Sequence, residues 1–269
     1  MRADEEEVFM SEFLTAAPPV RYSITGSGPG LLFLHGTGGT AEACWGHLAR
    51  QFADDRTIMM VDYSGTGQEV DKNEPLTLEF LAAQVAAVIR STADGPVDVV
   101  GLSLGAEIAA VAAAEYPDLV RRSVLIGGWF SADDSRQIFS FDFWRRLLRS
   151  DSELFSRFLF LAGLSPGCLG SFSTQHLEEM VAGSSLAPDT DRQIALDMRA
   201  DLSSWAPLVK SPTLVVGLTR DHMVPVEHSR ELHAAIPGSE YAEIDSGHVV
   251  VYERPDELAD VLLKFLTKE

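Results

Sequence analysis

Gly101-Leu102-Ser103-Leu104-Gly105 sets one hydroxyl at the centre of a pentapeptide whose two ends carry no side chain. The apolar run Val97-Asp98-Val99-Val100 precedes it, and the small-residue segment 106–114 follows. That order predicts a strand, a sharp turn and a helix, with Ser103 at the tip of the turn and its hydroxyl lifted clear of the backbone. Such a turn strains the residue at its tip and crowds the positions two residues to either side, which the glycines at 101 and 105 relieve. As a bare string the pattern arises by chance in glycine-rich chains. Its weight comes from the strand before it and the helix after it.

A serine hydroxyl is a poor nucleophile at neutral pH. It needs a base within hydrogen-bond reach, and the base needs a partner that fixes its tautomer. Of the seven histidines, His248 is the candidate base, because it follows Ile244-Asp245-Ser246-Gly247 just past the last apolar strand. In a parallel sheet all strand C-termini share one edge, which brings this loop beside the serine turn. A surface loop histidine is the plain alternative. The candidate acid is Asp221, which follows the strand at 213–216 and precedes Val224-Pro225. Asp133 and Asp134, beyond the strand at 124–126, are its rivals, and Asp245 reads as a turn residue.

The elements that must position these groups alternate along the chain. Strands are expected at 20–24, 31–34, 57–61, 97–100, 124–126, 213–216 and 241–244. Helices are expected at 41–52 and 76–90, after the serine turn, and at 255–266. In the second, Thr77 is the predicted N-cap, and Leu78, Leu81, Val85 and Val88 mark the inner face. Strands alternating with helices imply an α/β fold with a largely parallel sheet. The rhythm breaks between about 131 and 205, which has no convincing strand and many aromatic residues. Residues 1–130 and 206–269 are therefore expected to form the core, and 131–205 an inserted helical cap.

That insertion is expected both to have a small core of its own and to line an apolar acyl or ring pocket, with Trp129, Phe139, Phe143 and Trp144 as the lining candidates. Arg136, Arg145, Arg146, Arg149 and Arg157 stand against only Asp142, Asp151 and Glu153 in the stretch 136–157. They would either receive a substrate carboxylate or form a solvated helix face.

Composition excludes several classes. The chain has 269 residues, 46% hydrophobic, and a formal net charge of −19. So acidic a chain does not suit nucleic acid or an anionic membrane surface. The acidic start at 1–7 is no signal peptide, and no apolar run is long enough to span a bilayer. A soluble, cytoplasmic protein acting on a small molecule is the expectation. Cys44 and Cys168 make neither a disulfide framework nor a zinc site. His222, His228 and His233 do not share a helix face, so no metal is expected. Gly36, Gly38 and Gly39 lack the Lys-Ser/Thr pair of a phosphate loop.

Taken together, these residues resemble the α/β-hydrolase fold, whose nucleophile, acid and base come in the order Ser103, Asp221, His248. The resemblance runs over nearly the whole chain: the His35-Gly36 loop, the Gly65-Thr66-Gly67 loop, the serine turn, Tyr116-Pro117-Asp118-Leu119-Val120, and the Asp221 and His248 loops. It is nearest the small, cap-bearing esterase, lactonase and carbon–carbon hydrolase branch. The resemblance implies an oxyanion hole from the Leu104 and Thr37 backbone N–H groups, a loop-holding role for His35, and no cofactor. It implies hydrolysis of a small ester, lactone or thioester. Carbon–carbon hydrolysis, perhydrolysis or acyl transfer at the same site, or a non-catalytic binding protein, are the alternatives. Two departures stand out. Tyr63-Ser64-Gly65-Thr66-Gly67 replaces the Arg-Gly-His-Gly of many relatives, and Leu104 and Ala106 differ from the usual carbon–carbon hydrolase turn. A serine at the tip argues against the epoxide hydrolases and haloalkane dehalogenases, whose nucleophile is a carboxylate.

Overall fold

The central strands are mostly apolar and are buried at nearly every position, as strands covered on both faces must be. A computed structural model describes residues 9–13, 20–66, 75–131 and 133–268. The acidic start at 1–7 and Gly67 lie outside the described residues. Eight strands form one sheet in the order β1-β2-β4-β3-β5-β6-β7-β8. They are β1 (Phe9–Phe13), β2 (Val20–Thr25), β3 (Gly30–Leu34), β4 (Thr57–Asp62), β5 (Val97–Leu102), β6 (Val120–Ile126), β7 (Thr213–Leu218) and β8 (Glu240–Ile244). β1 and β2 pair antiparallel, as do β2 and β4, and every later pairing is parallel.

The helices on the sheet are α1 (Ala41–Ala49), α2 (Leu78–Thr92) and α3 (Leu104–Glu115) before the insertion. Between β6 and β7 come α4 (Ser135–Ser150), α5 (Ser152–Gly163), α6 (Pro166–Leu169), α7 (Thr174–Gly183) and α8 (Thr190–Asp197). The chain closes with α9 (Val226–Ala235), α10 (Val250–Glu253) and α11 (Pro255–Leu266). Among the described residues, no helix is long and apolar enough to cross a membrane.

The two-residue period of the strands sorts their side chains onto two faces. Leu31, Phe33, Ile58, Met60, Val100 and Leu102 pack with Trp45 of α1 and Leu262 and Phe265 of α11. Leu32, Leu34, Met59, Val61 and Val99 pack with Leu81, Val85 and Val88 of α2 and with α3. At the opposite edge from Ser103, the fully buried Asp98 accepts hydrogen bonds from Arg56 (2.8 Å) and Arg121 Nε (2.8 Å). These bonds staple the starts of β5 and β6 to the turn before β4.

Most expected elements form, with small shifts. The helix expected at 41–52 ends at Ala49 and continues as a tight turn over Arg50–Phe52. The helix expected at 76–90 runs Leu78–Thr92, with the Thr77 hydroxyl accepting from the Phe80 N–H. β1 and α9 were not legible. A five-residue edge strand with one flanking partner leaves little periodic signal. The α9 sequence has few large apolar residues to mark a face.

The inserted helices bond to the sheet's C-terminal loops near both ends of the insertion. The Val249 N–H donates to Gly163 O (3.0 Å), and Glu253 of α10 accepts from the Ser165 N–H (2.8 Å), the Gly247 N–H (3.2 Å) and the Ser165 hydroxyl. At the other end of the insertion, the Ala187 N–H donates to Gly38 O (3.0 Å).

Candidate active site

Ser103 has φ 56° and ψ −126°, and it is the one non-glycine residue with positive φ among those described. That conformation costs an L-residue about 1–3 kcal/mol, so the surroundings must enforce it. They do so from three sides. The Ser103 N–H donates to Ile126 O (2.9 Å) at the end of β6. A Cβ at Gly101 would stand 2.1 Å from Gly105 O, and one at Gly105 would stand 2.4 Å from Leu34 O. Both obstacles are backbone atoms that cannot turn aside. The two glycines therefore let β5, α3 and the end of β3 close around the turn.

Ser103 is 8% exposed, and its hydroxyl has no hydrogen bond with a described residue. Leu104 opens α3, where the first N–H groups of a helix lack internal partners. Thr37 lies in the loop after β3, next to Gly36, whose Cβ position is 3.1 Å from Ser103 Cβ. Neither the Leu104 nor the Thr37 N–H has a hydrogen-bond partner among the described residues. The serine thus has two unclaimed backbone donors on the loops that flank it, one at a helix N-terminus that favours negative charge.

His248 Nδ1 lies 2.6 Å from Asp221 Oδ2, and both residues are buried. The other carboxylate oxygen, Oδ1, accepts from the Met223 and Val224 N–H groups, each at 2.8 Å. Asp221 is therefore fixed by the turn it starts. Its partner His248 lies against Gly127, which follows Ile126, the acceptor of the Ser103 N–H. A Cβ at Gly127 would be 3.5 Å from His248 Cε1 and Nδ1. The ring thus occupies space beside the strand end that holds the Ser103 N–H.

The rival acids are placed elsewhere. Asp134 caps α4, accepting from the Arg136 and Gln137 N–H groups (3.1 and 3.3 Å). Asp245 is exposed and accepts from Thr219 Oγ1 (2.8 Å) and Arg220 Nε (2.7 Å). His35 is fully buried, stacked on Tyr63 with ring centroids 4.2 Å apart, and its Nδ1 is 2.7 Å from Gly36 O. Burial lowers its pKa, so the ring is a neutral strut for the loop.

The expected pocket aromatics divide. Trp129 and Trp144 are buried and bracket Phe141, at centroid distances of 5.5 and 5.0 Å. Phe139 is 76% exposed and Phe143 45% exposed. Phe139, expected to line a pocket, is instead largely exposed, because the helical period puts 139 and 143 across α4 from the buried Gln137, Phe141 and Trp144. Phe143 instead packs edge-on against Phe158 at 5.4 Å.

The arginines are already engaged. Arg145 and Arg149 both bond Asp191 (2.9 and 2.7 Å), Arg146 bonds Asp142 (2.6 Å), Arg157 bonds Glu153 and Glu178, and Arg136 donates to His222 O (2.6 Å). The local excess of positive charge in 136–157 disappears once Glu178 and Asp191 fold back onto it. Among the described residues, no cluster of His, Cys, Asp or Glu is placed to hold a metal ion. Burial pushes the Cys44 thiol up to about 12.

Three buried residues at this edge are not apparent from sequence. Glu107 lies one turn into α3, and its Oε1 accepts from the Trp129 N–H (2.7 Å). Asp197 and Gln193 come from α8. Burial raises the Asp197 carboxyl to about 8 and the Glu107 carboxyl well above its ordinary value, and the Asp197 charge adds to the Glu107 shift. Glu107 had a signal, a lone charge in an alanine run. Asp197 and Gln193 had none, because only the folding back of α8 gives them a role.

Residues 29–255 match the sequence model of the alpha/beta hydrolase fold. The chain belongs to that family. It is 38% identical over 255 residues to the pyrrolizixenacetamide deacetylase of Xenorhabdus hominickii, covering 93% of this chain and 95% of that one. It is 29% identical to the pimeloyl-[acyl-carrier protein] methyl ester esterase of Xanthomonas axonopodis pv. citri, covering 90% and 97%. The crystal structure of the enol-lactonase from Burkholderia xenovorans LB400 superposes with a TM-score of 0.80 at 21% identity, covering 93% and 97%. That last likeness is one of fold.

Proposed function

We propose that this α/β-hydrolase is a serine hydrolase that cleaves a small carboxylic ester, lactone or thioester through an acyl-enzyme on Ser103. The observation that supports the reading is a strained serine after β5 on the same sheet edge as the loops after β7 and β8, which carry an imidazole held by a buried carboxylate. The named activities of the deacetylase and esterase relatives support a hydrolase acting on ester bonds.

A carboxylate only accepts hydrogen bonds, so His248 Nδ1 carries the hydrogen and Nε2 is the basic nitrogen. His248 Nε2 takes the Ser103 proton as Oγ attacks the carbonyl carbon. The carbonyl oxygen gains negative charge and is held by the Leu104 and Thr37 N–H groups. His248 then gives its proton to the leaving oxygen or sulfur, and the carbon–heteroatom bond breaks. Water, deprotonated by His248, repeats the attack and frees the acid. Hydrogen bonds between nucleophile and base are commonly long in free sites and shorten when substrate binds. Helices α4–α8 serve as the cap over this edge, and Trp129 and Trp144 belong to its packed interior. The substrate is a small molecule, and its reactive carbonyl needs no cofactor here.

A second reading follows from the 38% identical relative, which is named a deacetylase of an acetamide. The same machinery removes an acetyl group from nitrogen if His248 protonates the departing amine. Labelling with a fluorophosphonate probe and hydrolysis of 4-nitrophenyl acetate test both readings. Wild-type protein should be labelled and active, and Ser103→Ala and His248→Ala should lose both properties. Equal labelling of Ser103→Ala would sink the proposal. Release of amine from an N-acetyl arylamine would then separate amide from ester specificity.

A further inference from the structure

The oxyanion loop owes its shape to the insertion as well as to the sheet. Thr37 has a single hydrogen-bond partner among the described residues: its hydroxyl donates to Asp197 Oδ2 at 2.7 Å. The neighbouring Gly38 N–H donates to Gln193 Oε1 at 2.7 Å, and Gly38 O accepts from the Ala187 N–H at 3.0 Å. Gly38 has φ 78°, and a Cβ there would stand 3.2 Å from Thr190 Cγ2. Gln193 and Asp197 are four residues apart, so both project from one face of α8. Residues 187–197 thus hold the two loop residues by three hydrogen bonds, with Thr190 packed close against Gly38.

The grip is costly. Asp197 and Gln193 are 1% and 0% exposed, yet Asp197 Oδ1 and Gln193 Nε2 have no partner among the described residues. Asp197 has no ion-pair partner among them either, and the ionisable groups that face it are Glu107 of α3 and Tyr63 after β4. Neither supplies positive charge. A half-satisfied buried acid and amide are less favourable than apolar side chains of the same size. What they add is a fixed position for Thr37 and Gly38.

We propose that Asp197 and Gln193 are positioning residues for the oxyanion hole, so that the Thr37 N–H reaches its working place only when α8 is seated on the loop. The inference rests on the serine-hydrolase reading and deepens it. Asp197 acts through the Thr37 hydroxyl, and as a neutral acid it does so without setting a negative charge beside the developing oxyanion. Its burial keeps it protonated until about pH 8. Above that, an ionised Asp197 opposes the charge that the Thr37 N–H must stabilise.

The experiment compares kcat, KM and their pH profiles for wild type, Ser103→Ala, Asp197→Ala, Asp197→Asn and Thr37→Val on 4-nitrophenyl acetate. Losing a whole oxyanion donor lowers kcat about 10²–10³-fold, so displacing one should lower it about 10- to 100-fold, with KM changing less than about threefold. Asp197→Asn keeps an oxygen for the Thr37 hydroxyl. It should recover most of kcat at pH 7 and lack the decline above pH 8 expected of wild type. Thr37→Val keeps the backbone N–H and the shape but loses the hydroxyl, so it reports on the same link if Asp197→Ala does not fold. Combined with Asp197→Asn, it should remove the effect of the second change. Wild-type kcat in both Asp197→Ala and Thr37→Val overturns the inference, as does an Asp197→Asn pH profile identical to that of wild type. An active Ser103→Ala would instead overturn the serine-hydrolase reading beneath it.

Discussion

Replacing Asp221 by asparagine tests the site at the atom where its logic is tightest. Asp221 Oδ1 accepts two backbone N–H groups at 2.8 Å each, and Oδ2 faces His248 Nδ1 at 2.6 Å. An asparagine can be seated in only one way. Turning its amide NH2 toward Met223 and Val224 would set donors against two donors. The oxygen therefore stays with the backbone, and the NH2 faces His248. Nδ1 must then accept, which moves the ring hydrogen to Nε2, the nitrogen that has to take the Ser103 proton. Trapping the base in the wrong tautomer costs about 10⁴ in kcat in the serine proteases where it has been done, or about 5 kcal/mol of barrier. The fold should be nearly untouched, because the shape and both backbone bonds remain. Steady-state hydrolysis of 4-nitrophenyl acetate gives kcat, and a thermal melt gives the fold. A folded Asp221→Asn variant within tenfold of wild type would refute the assignment, provided that Ser103→Ala is inactive.

Other expectations concern the scaffold. Gly105→Ala places a methyl group 2.4 Å from Leu34 O, and overpacking of that kind costs about 1–3 kcal/mol or more. Its melt should fall by several degrees and its labelling by fluorophosphonate should slow; an unchanged melt would contradict the close approach of α3 to β3. Asp98→Ala removes the shared acceptor of Arg56 and Arg121. Since both arginines are partly exposed, the loss should be about 2–3 kcal/mol, below the full cost of stranding a buried charge, and chemical denaturation measures it. Asp197→Asn should change how stability depends on pH. The unfolded carboxyl releases its proton near pH 4, as ordinary carboxyls do, while the folded one holds it to about 8. Stability contributed by protonated Asp197 is therefore complete below about pH 4 and lost as pH rises toward 8. The melting temperature of Asp197→Asn relative to wild type should rise between pH 5 and 8, and a constant difference would disprove the burial argument.

Much of this molecule was legible because its signals are local. The strand at 97–100, the two glycines and the alanine-rich run that follows fix the Ser103 turn from within about eighteen residues. His248 and Asp221 follow from a rule about parallel sheets: loops after strands meet at one edge. What was not legible depends on contacts between distant segments. The helical period of α4 decides whether Phe139 faces a pocket or water, and the aromatic count carried no phase. The five arginines look in excess of Asp142, Asp151 and Glu153 because Glu178 and Asp191, which balance them, lie beyond residue 157. Asp197 and Gln193 are ordinary polar residues in sequence, and only the return of α8 onto residues 37–38 sets them apart.

Glu253 gives the insertion a second fixed end. Its carboxylate gathers the Ser165 and Gly247 N–H groups, joining the chain after α5 to the loop that carries His248. With the α8 contacts on residues 37–38, the inserted helices are tied both to the loop after β3 and to the loop after β8. This bears on how new substrate ranges are built on the fold. Residues 131–205 are not a cassette that can be exchanged at their two chain junctions alone. A chimaera carrying a foreign insertion should recover activity only if residues 37–38 and 247–253 are exchanged with it, so the unit of transfer is discontinuous in sequence. The segment between these ties, around α6 and α7, is where length and composition should vary with least effect on Ser103, His248 and residues 37–38.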